Sequence, residues 1–383
     1  MKQFLGLVCV TAAMAAANLH GYSNVNREDG FVTMAPKNGQ QQQQAAQPAF
    51  EQGELLHKGK YPAAYNAPAA VKTKNWDCCT FNVNASFIYW HSSQESMDIA
   101  YVDPTNLFVF TPEHAVAFAK FEYNPGFQVG IAFNTNYDGW VGSMDYTRLH
   151  QETHAHHKAP EVHGVHQVYN NPDWFANAFS TNNTANEVSG EWELEFDMLD
   201  TVLGRPFYQG TRLTVSPYGG LRALWIEQEL EIKIHGNGQI PSKSENESES
   251  WAIGPKVGAG MQWLLGAGFR IVGNVAGSLL YTRYDKISHK ESGLIEATRV
   301  HDIGGAIHHF STLRPVLDMG LGLACGYYVY QQKCYLDLAV RYDFMYLWDQ
   351  NVMRELVSTL QNRVDHVGDL QMHGLTINAS IFF

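Results

Sequence analysis

Apolar and polar residues alternate along the carboxy-terminal stretch Leu375-Thr376-Ile377-Asn378-Ala379-Ser380-Ile381-Phe382-Phe383. Successive strand side chains point to opposite faces, so Leu375, Ile377, Ala379, Ile381 and Phe383 share one face, and Thr376, Asn378 and Ser380 share the other. The same period of two recurs from Phe81 onward. It runs through Phe81 to Tyr89, Phe127 to Phe133, Trp140 to Tyr146, Trp192 to Met198, and Leu213 to Trp225 with a continuation through Leu230, Ile232 and Ile234. It then continues through Ile253 to Trp263, Phe269 to Tyr281, Leu317 to Leu323, Leu336 to Phe344, and the terminal stretch. Runs of about 9 to 11 residues suit tilted strands that cross a bilayer. The pattern predicts an all-β fold, an antiparallel transmembrane barrel of about 10 to 12 strands with apolar residues toward lipid and polar residues toward the lumen.

Connection lengths give an independent check. If the first strand runs outward, long connections fall at 91–121, 150–189, 235–250, 285–310 and 348–371. Short ones fall at 134–139, 203–210, 264–268 and 326–333. Long extracellular loops and short periplasmic turns must alternate in such a barrel, and here they do. Asp138-Gly139 marks one tight turn. The apolar stretch Ile99 to Phe110 leaves room for more strands. Thr111-Pro112-Glu113 reads as a helix start continuing to Lys120, and Gln350 to Arg363 has helical spacing.

Ahead of the strands, Met1-Lys2 and the apolar run Phe4 to Ala17 read as a signal peptide over 1–17, cleaved after Ala17. Residues 18–77, with the glutamine run Gln40 to Gln44, read as a low-complexity, flexible periplasmic segment. The barrel is then 78–383. No later run is long and apolar enough for a membrane helix. A formal net charge of −12 excludes nucleic acid as a partner, because it leaves no basic stripe to neutralise phosphates.

With apolar residues assigned to lipid, the lumen receives Glu191, Glu193, Glu195 and Asp197 from the fourth strand. It also receives Arg212, Arg222, Arg270, Arg314, Asp318, Asp337, Arg341 and Asp343. Opposed charges across a narrow lumen would filter small hydrated solutes, or would pair and seal it. Four of the five cysteines lie outside the leader. Cys78, Cys79, Cys325 and Cys334 all fall at the periplasmic rim, where disulfides are permitted, and Cys325 with Cys334 across the last turn is one candidate pair. Histidines crowd the connection after the third strand; His154, His156 and His157 are the candidate metal ligands there. No cofactor motif and no Gly-x-Ser-x-Gly elbow appears, so no enzyme is expected.

Three motifs carry a family resemblance: Trp76-Asp77-Cys78-Cys79; Pro125-Gly126-Phe127-Gln128-Val129-Gly130 with Asp138-Gly139-Trp140; and Pro217-Tyr218-Gly219-Gly220-Leu221-Arg222-Ala223-Leu224-Trp225-Ile226. With them the chain resembles the Legionella major outer membrane protein family, including the related proteins of chlamydia-like bacteria. The resemblance implies an abundant outer-membrane protein of porin type with disulfide cross-links and surface-exposed loops. Its expected partners are outer-membrane lipid, the barrel-assembly machinery reading the terminal Phe383, and further copies or envelope proteins joined through disulfides. The expected function is that of a porin passing small hydrophilic solutes or ions by passive diffusion; the alternative is a structural or adhesive surface protein with a closed lumen, disulfide-linked at the periplasmic rim.

Overall fold

The computed structural model describes residues 64–66 and 79–383, apart from 103–114, 119, 136–138, 159–160, 163–164, 167, 171–173, 175–183, 186, 210–211, 236–241, 267, 293, 297–298, 301–302, 330–333 and 361–366. The expected signal peptide, the glutamine run and Cys78 lie outside the described residues.

Ten strands make the wall. They are β1 (Cys79–Gln94), β2 (Tyr123–Thr135), β3 (Val141–Lys158), β4 (Glu187–Gly204), β5 (Leu213–His235), β6 (Ser242–Gly266), β7 (Phe269–Ser292), β8 (Ile303–Val329), β9 (Cys334–Asn351) and β10 (Gly368–Phe382). Each pairs antiparallel with its sequence neighbours, and β1 pairs with β10 so that Phe87 stands opposite Ile377. The ring therefore closes, and the backbone N–H of Phe383 donates to the Phe81 carbonyl at 2.9 Å. Closure leaves no open strand edge, which the hydrocarbon interior demands. Short connections turn the chain at the periplasmic end. Gly139 takes a φ of 72°, the left-handed conformation such turns need.

All ten predicted strands are present, but several run farther outward than their patterns suggested. β3 continues to Lys158 and β6 begins at Ser242, so part of each of two predicted loops is wall. Two local expectations are corrected. Ala115–Phe118, inside the predicted helix, is a strand. Asp98–Val102, inside the stretch with room for an added wall strand, belongs with it to a separate four-stranded sheet that includes Val168–Asn170 and Thr184–Ala185. Ala115–Phe118 pairs with Asp98–Val102, which pairs in turn with the distant Val168–Asn170, and these cross-strand partners override local propensity. The helical spacing after Gln350 does form a helix, α1 (Met353–Leu360). Within the segment read as flexible, Ala64–Asn66 pairs with Phe207–Gln209.

The outward face over the membrane-spanning half is apolar and exposed: Phe87, Ile131, Val257, Leu279, Leu321 and Leu338 are among its residues. In water such a belt would drive aggregation, whereas lipid requires it. Trp225 and Trp251, opposite one another on β5 and β6, and Tyr281, 6.2 Å from Trp251 by ring centroids, sit where the belt ends toward the cell exterior. Beyond that level the polarity of the two faces reverses. On β4 the outward residues change from Leu203, Thr201 and Leu199 to Asp197, Glu195, Glu193 and Glu191. The inward residues change from Asp200 to Met198, Phe196, Leu194 and Trp192. The outer half of the wall thus meets water outside and encloses a hydrophobic core.

Candidate functional site in the barrel interior

In the membrane half, inward strand positions supply a polar interior. Arg222 on β5 is 1% exposed and lies between two carboxylates. Its Nε and Nη2 donate to Asp200 on β4 at 2.7 and 2.8 Å, while its Nη1 and Nη2 reach Asp318 on β8. Lys256 Nζ on β6 completes the quartet at 2.8 Å from Asp200 and 3.0 Å from Asp318. Two cations and two anions neutralise one another, which offsets the cost of taking each from water. Because these side chains come from β4, β5, β6 and β8, the quartet reaches across the interior.

Further polar pairs lie elsewhere along the wall. Asn84 donates to Asp145, and Asn378 to Ser86 at 2.8 Å. Arg270 pairs with Asp337, Arg314 with Asp349 at 3.3 Å, and Arg341 with Asp343 at 3.4 Å.

Above this polar floor lies the hydrophobic core. Trp192, Leu194, Phe196, Leu230 and Ile232 from β4 and β5 are fully buried against Met97, Ile99, Trp174, Met353, Leu370 and Met372. Three outer segments are fastened there by polar contacts. The Trp174 indole N–H donates to the Asp98 carbonyl at 2.8 Å, and Ser244 Oγ donates to the Trp174 carbonyl at 2.9 Å. Arg354 of α1 pairs with the Asp98 carboxylate at 2.9 Å and stacks over the Trp174 ring at 4.7 Å. Asn351 holds both sides: its Nδ2 donates to the Glu95 carbonyl at 2.9 Å, and its Oδ1 accepts from the first helical N–H, Met353, at 3.1 Å.

The structure separates the predicted lumen residues into groups. Arg222, Arg270, Arg314, Asp318, Asp337, Arg341 and Asp343 point inward. Glu191, Glu193, Glu195 and Asp197 point outward, a correction with a clear cause: their strand segment stands above the hydrocarbon, where the apolar side must turn to the core. Arg212 is exposed in the turn before β5 rather than in the lumen. Asp200 and Lys256 escaped the sequence reading, although the phase of Leu199 and Leu203, and of Ile253 and Val257, placed both inward.

Cys325 and Cys334 are free and half-buried. Cys325 stands opposite Leu338 and Cys334 opposite Val329. That offset of four residues is about 13 Å along the strands, too far for the disulfide read across this turn. Cys79 opens β1.

The predicted metal ligands lie on a strand rather than a loop. His154 and His156 project outward from β3, but His157 has the opposite phase. Acids come to them from β4: Glu191 is opposite His154, Glu193 opposite Glu152 and Glu195 opposite His150.

Comparison with known proteins adds a family. A family model described as Legionella pneumophila major outer membrane protein precursor matches residues 71–383. No curated protein matches. Among solved structures, the outer membrane protease OmpT of Escherichia coli is similar at 7% identity, covering 82% of this chain and 98% of its own with a TM-score of 0.38. A major outer membrane protein from Thermus thermophilus is similar at 10% identity, with 80% and 99% covered and a TM-score of 0.29. The Pseudomonas putida toluene transporter TodX is similar at 10% identity, with 82% and 91% covered and a TM-score of 0.26.

Proposed function

This chain belongs to the Legionella major outer membrane protein family, and we propose that, as a bacterial outer-membrane barrel, it is closed at rest and serves as a structural surface protein. The observation that carries this reading is the apolar inner face of β4 and β5 in the outer half, covered by Met97, Ile99, Trp174 and Met353. Opening a water path would expose those side chains, each contributing roughly 1.5 to 3 kcal/mol by its burial. Thermal motion does not supply that sum. A permanently wet pore has no use for Trp192, Leu194 and Phe196 on its wall. The reading assigns no catalytic activity. Its partners are lipid along the apolar belt, the assembly machinery at Phe383, and neighbouring envelope proteins through Cys78 or Cys79.

A second reading, a gated pore for small hydrophilic solutes, draws support from the polar floor and from the origin of the cover, which consists of outer segments rather than wall strands. Single-channel recording in planar bilayers separates the two. The refolded barrel is expected to be silent. Arg354→Ala, which frees α1 from Asp98 and Trp174, leaves it silent under the structural reading and produces unitary steps under the gated one. Reproducible steps from the unmodified barrel overturn closure at rest.

A further inference from the structure

The outward face of the water-exposed wall carries an arrangement that the closed-barrel reading does not use. Over three successive cross-strand rows, carboxylates stand directly opposite carboxylates. Glu195, Glu227 and Glu249 form one row, Glu193, Glu229 and Glu247 the next, and Glu191, Glu231 and Glu245 the third. Like charges in register oppose sheet formation, so each row needs a counter-charge. Toward β6 and β7, lysines provide it: Lys286 pairs with Glu247, and Lys243 lies 2.8 Å from Glu231 and 2.5 Å from Glu245.

Toward β3 the first and third rows meet imidazoles, His150 and His154, and the middle row meets a fourth carboxylate, Glu152; the Arg148 guanidinium reaches Glu195 Oε2 at 3.2 Å and leaves its Oε1 toward His150. His150 Nδ1 lies 3.8 Å from Glu193 Oε1 and 4.0 Å from Glu195 Oε1. His154 Nε2 lies 3.3 Å from Glu152 Oε1, and its Nδ1 lies 4.0 Å from Glu191 Oε1. In each set of three, His150 with Glu193 and Glu195, and His154 with Glu152 and Glu191, one donor atom per residue falls within 4.8 Å of the others.

We infer that this face binds zinc-class divalent cations at two neighbouring sites, His150–Glu193–Glu195 and Glu152–His154–Glu191. Donors around tetrahedral zinc sit roughly 3.4 Å apart, so small rotations of exposed side chains close either set, and water completes the coordination. Two carboxylates and one imidazole give a neutralising, mixed nitrogen and oxygen donor set. The imidazole favours zinc or copper over calcium, which takes six to eight oxygens. Strand pairing fixes the spacing of the donors, which distinguishes this face from an acidic loop. The ions would supply to Glu152, Glu191 and Glu193 the counter-charge that Arg148 supplies to Glu195 and that lysines supply at the other end of the rows.

The test is equilibrium dialysis of the folded full-length barrel against zinc chloride, with metal analysis and a tenfold excess of calcium as competitor. Two zinc ions per chain, retained against calcium, are expected. His150→Gln with His154→Gln should weaken binding at least tenfold while the heat-modifiable mobility of the folded barrel is unchanged. Glu191→Gln with Glu193→Gln should do the same from the opposite strand, and serves if the first variant does not fold. Zinc held equally by these variants, or displaced by calcium, would overturn the assignment.

Discussion

The membrane half and the outer half of this barrel share the same ten strands and the same alternation, yet they are built inside out relative to one another. In the membrane half, Leu338 and Val257 face outward and the Arg222 quartet lies within. In the outer half, Glu193 and Glu229 face outward and Leu194 and Leu230 lie within. A period of two identifies a strand. It does not say which face meets protein, because that depends on whether lipid or water stands outside. A one-sided rule, apolar to lipid, is therefore right below Trp225 and wrong above it.

Substitutions at matched positions should separate the two halves. The largest effects are expected inside. Trp192→Ala in the outer core should cost about 3 to 5 kcal/mol through the cavity it leaves. Asp318→Ala should cost a similar amount, about 3 to 5 kcal/mol, by leaving Arg222 and Lys256 with one carboxylate between them. Both losses would be read as lowered midpoints in urea titrations of the folded, heat-modifiable band. Next, Leu338→Arg should cost about 2 to 4 kcal/mol near the midplane. Glu193→Arg, also outward but above the lipid, should leave assembly intact. Equal damage from these two arginines would contradict the reversal.

The smallest effect sharpens the picture of the outer wall. Partial burial, then the carboxylates of Glu195 and Glu249, pushes the Glu227 carboxyl above its ordinary value. Partial burial, then Glu247 and Glu193, does the same for Glu229. A carboxyl raised in the folded state binds its proton more readily there than in the unfolded chain. Stability from this source is therefore present at or below the ordinary glutamate range and is lost as pH rises through the raised values. Glu227→Gln with Glu229→Gln should protect the outer strands at neutral pH by under about 1 kcal/mol, and the gain should vanish on acidification. Hydrogen exchange of β5 at two pH values measures it.

Much of the wall was legible in the sequence because a membrane strand writes its own signal: Leu336, Leu338, Val340 and Tyr342 alternate without help from any partner. The parity of connections added direction. The inward placement of Arg222 and Asp318 followed from the same phase. Their neutralising partners Asp200 and Lys256 were readable in principle, since each lies one residue from a lipid-facing position. Other features were not readable. That Trp174 and Asp98 meet Arg354 depends on three separate outer segments, and that His150 meets Glu193 depends on strand register, neither of which a local pattern contains. The offset of Cys325 from Cys334 is likewise a matter of register rather than of spacing.

The reversal of polarity on β4 is the claim on which the rest depends, and labelling intact cells with a membrane-impermeant maleimide tests it directly at two adjacent positions. Glu195→Cys should react quickly from outside and Leu194→Cys should stay protected in the core; a reactive residue 194 beside a protected residue 195 would contradict the account.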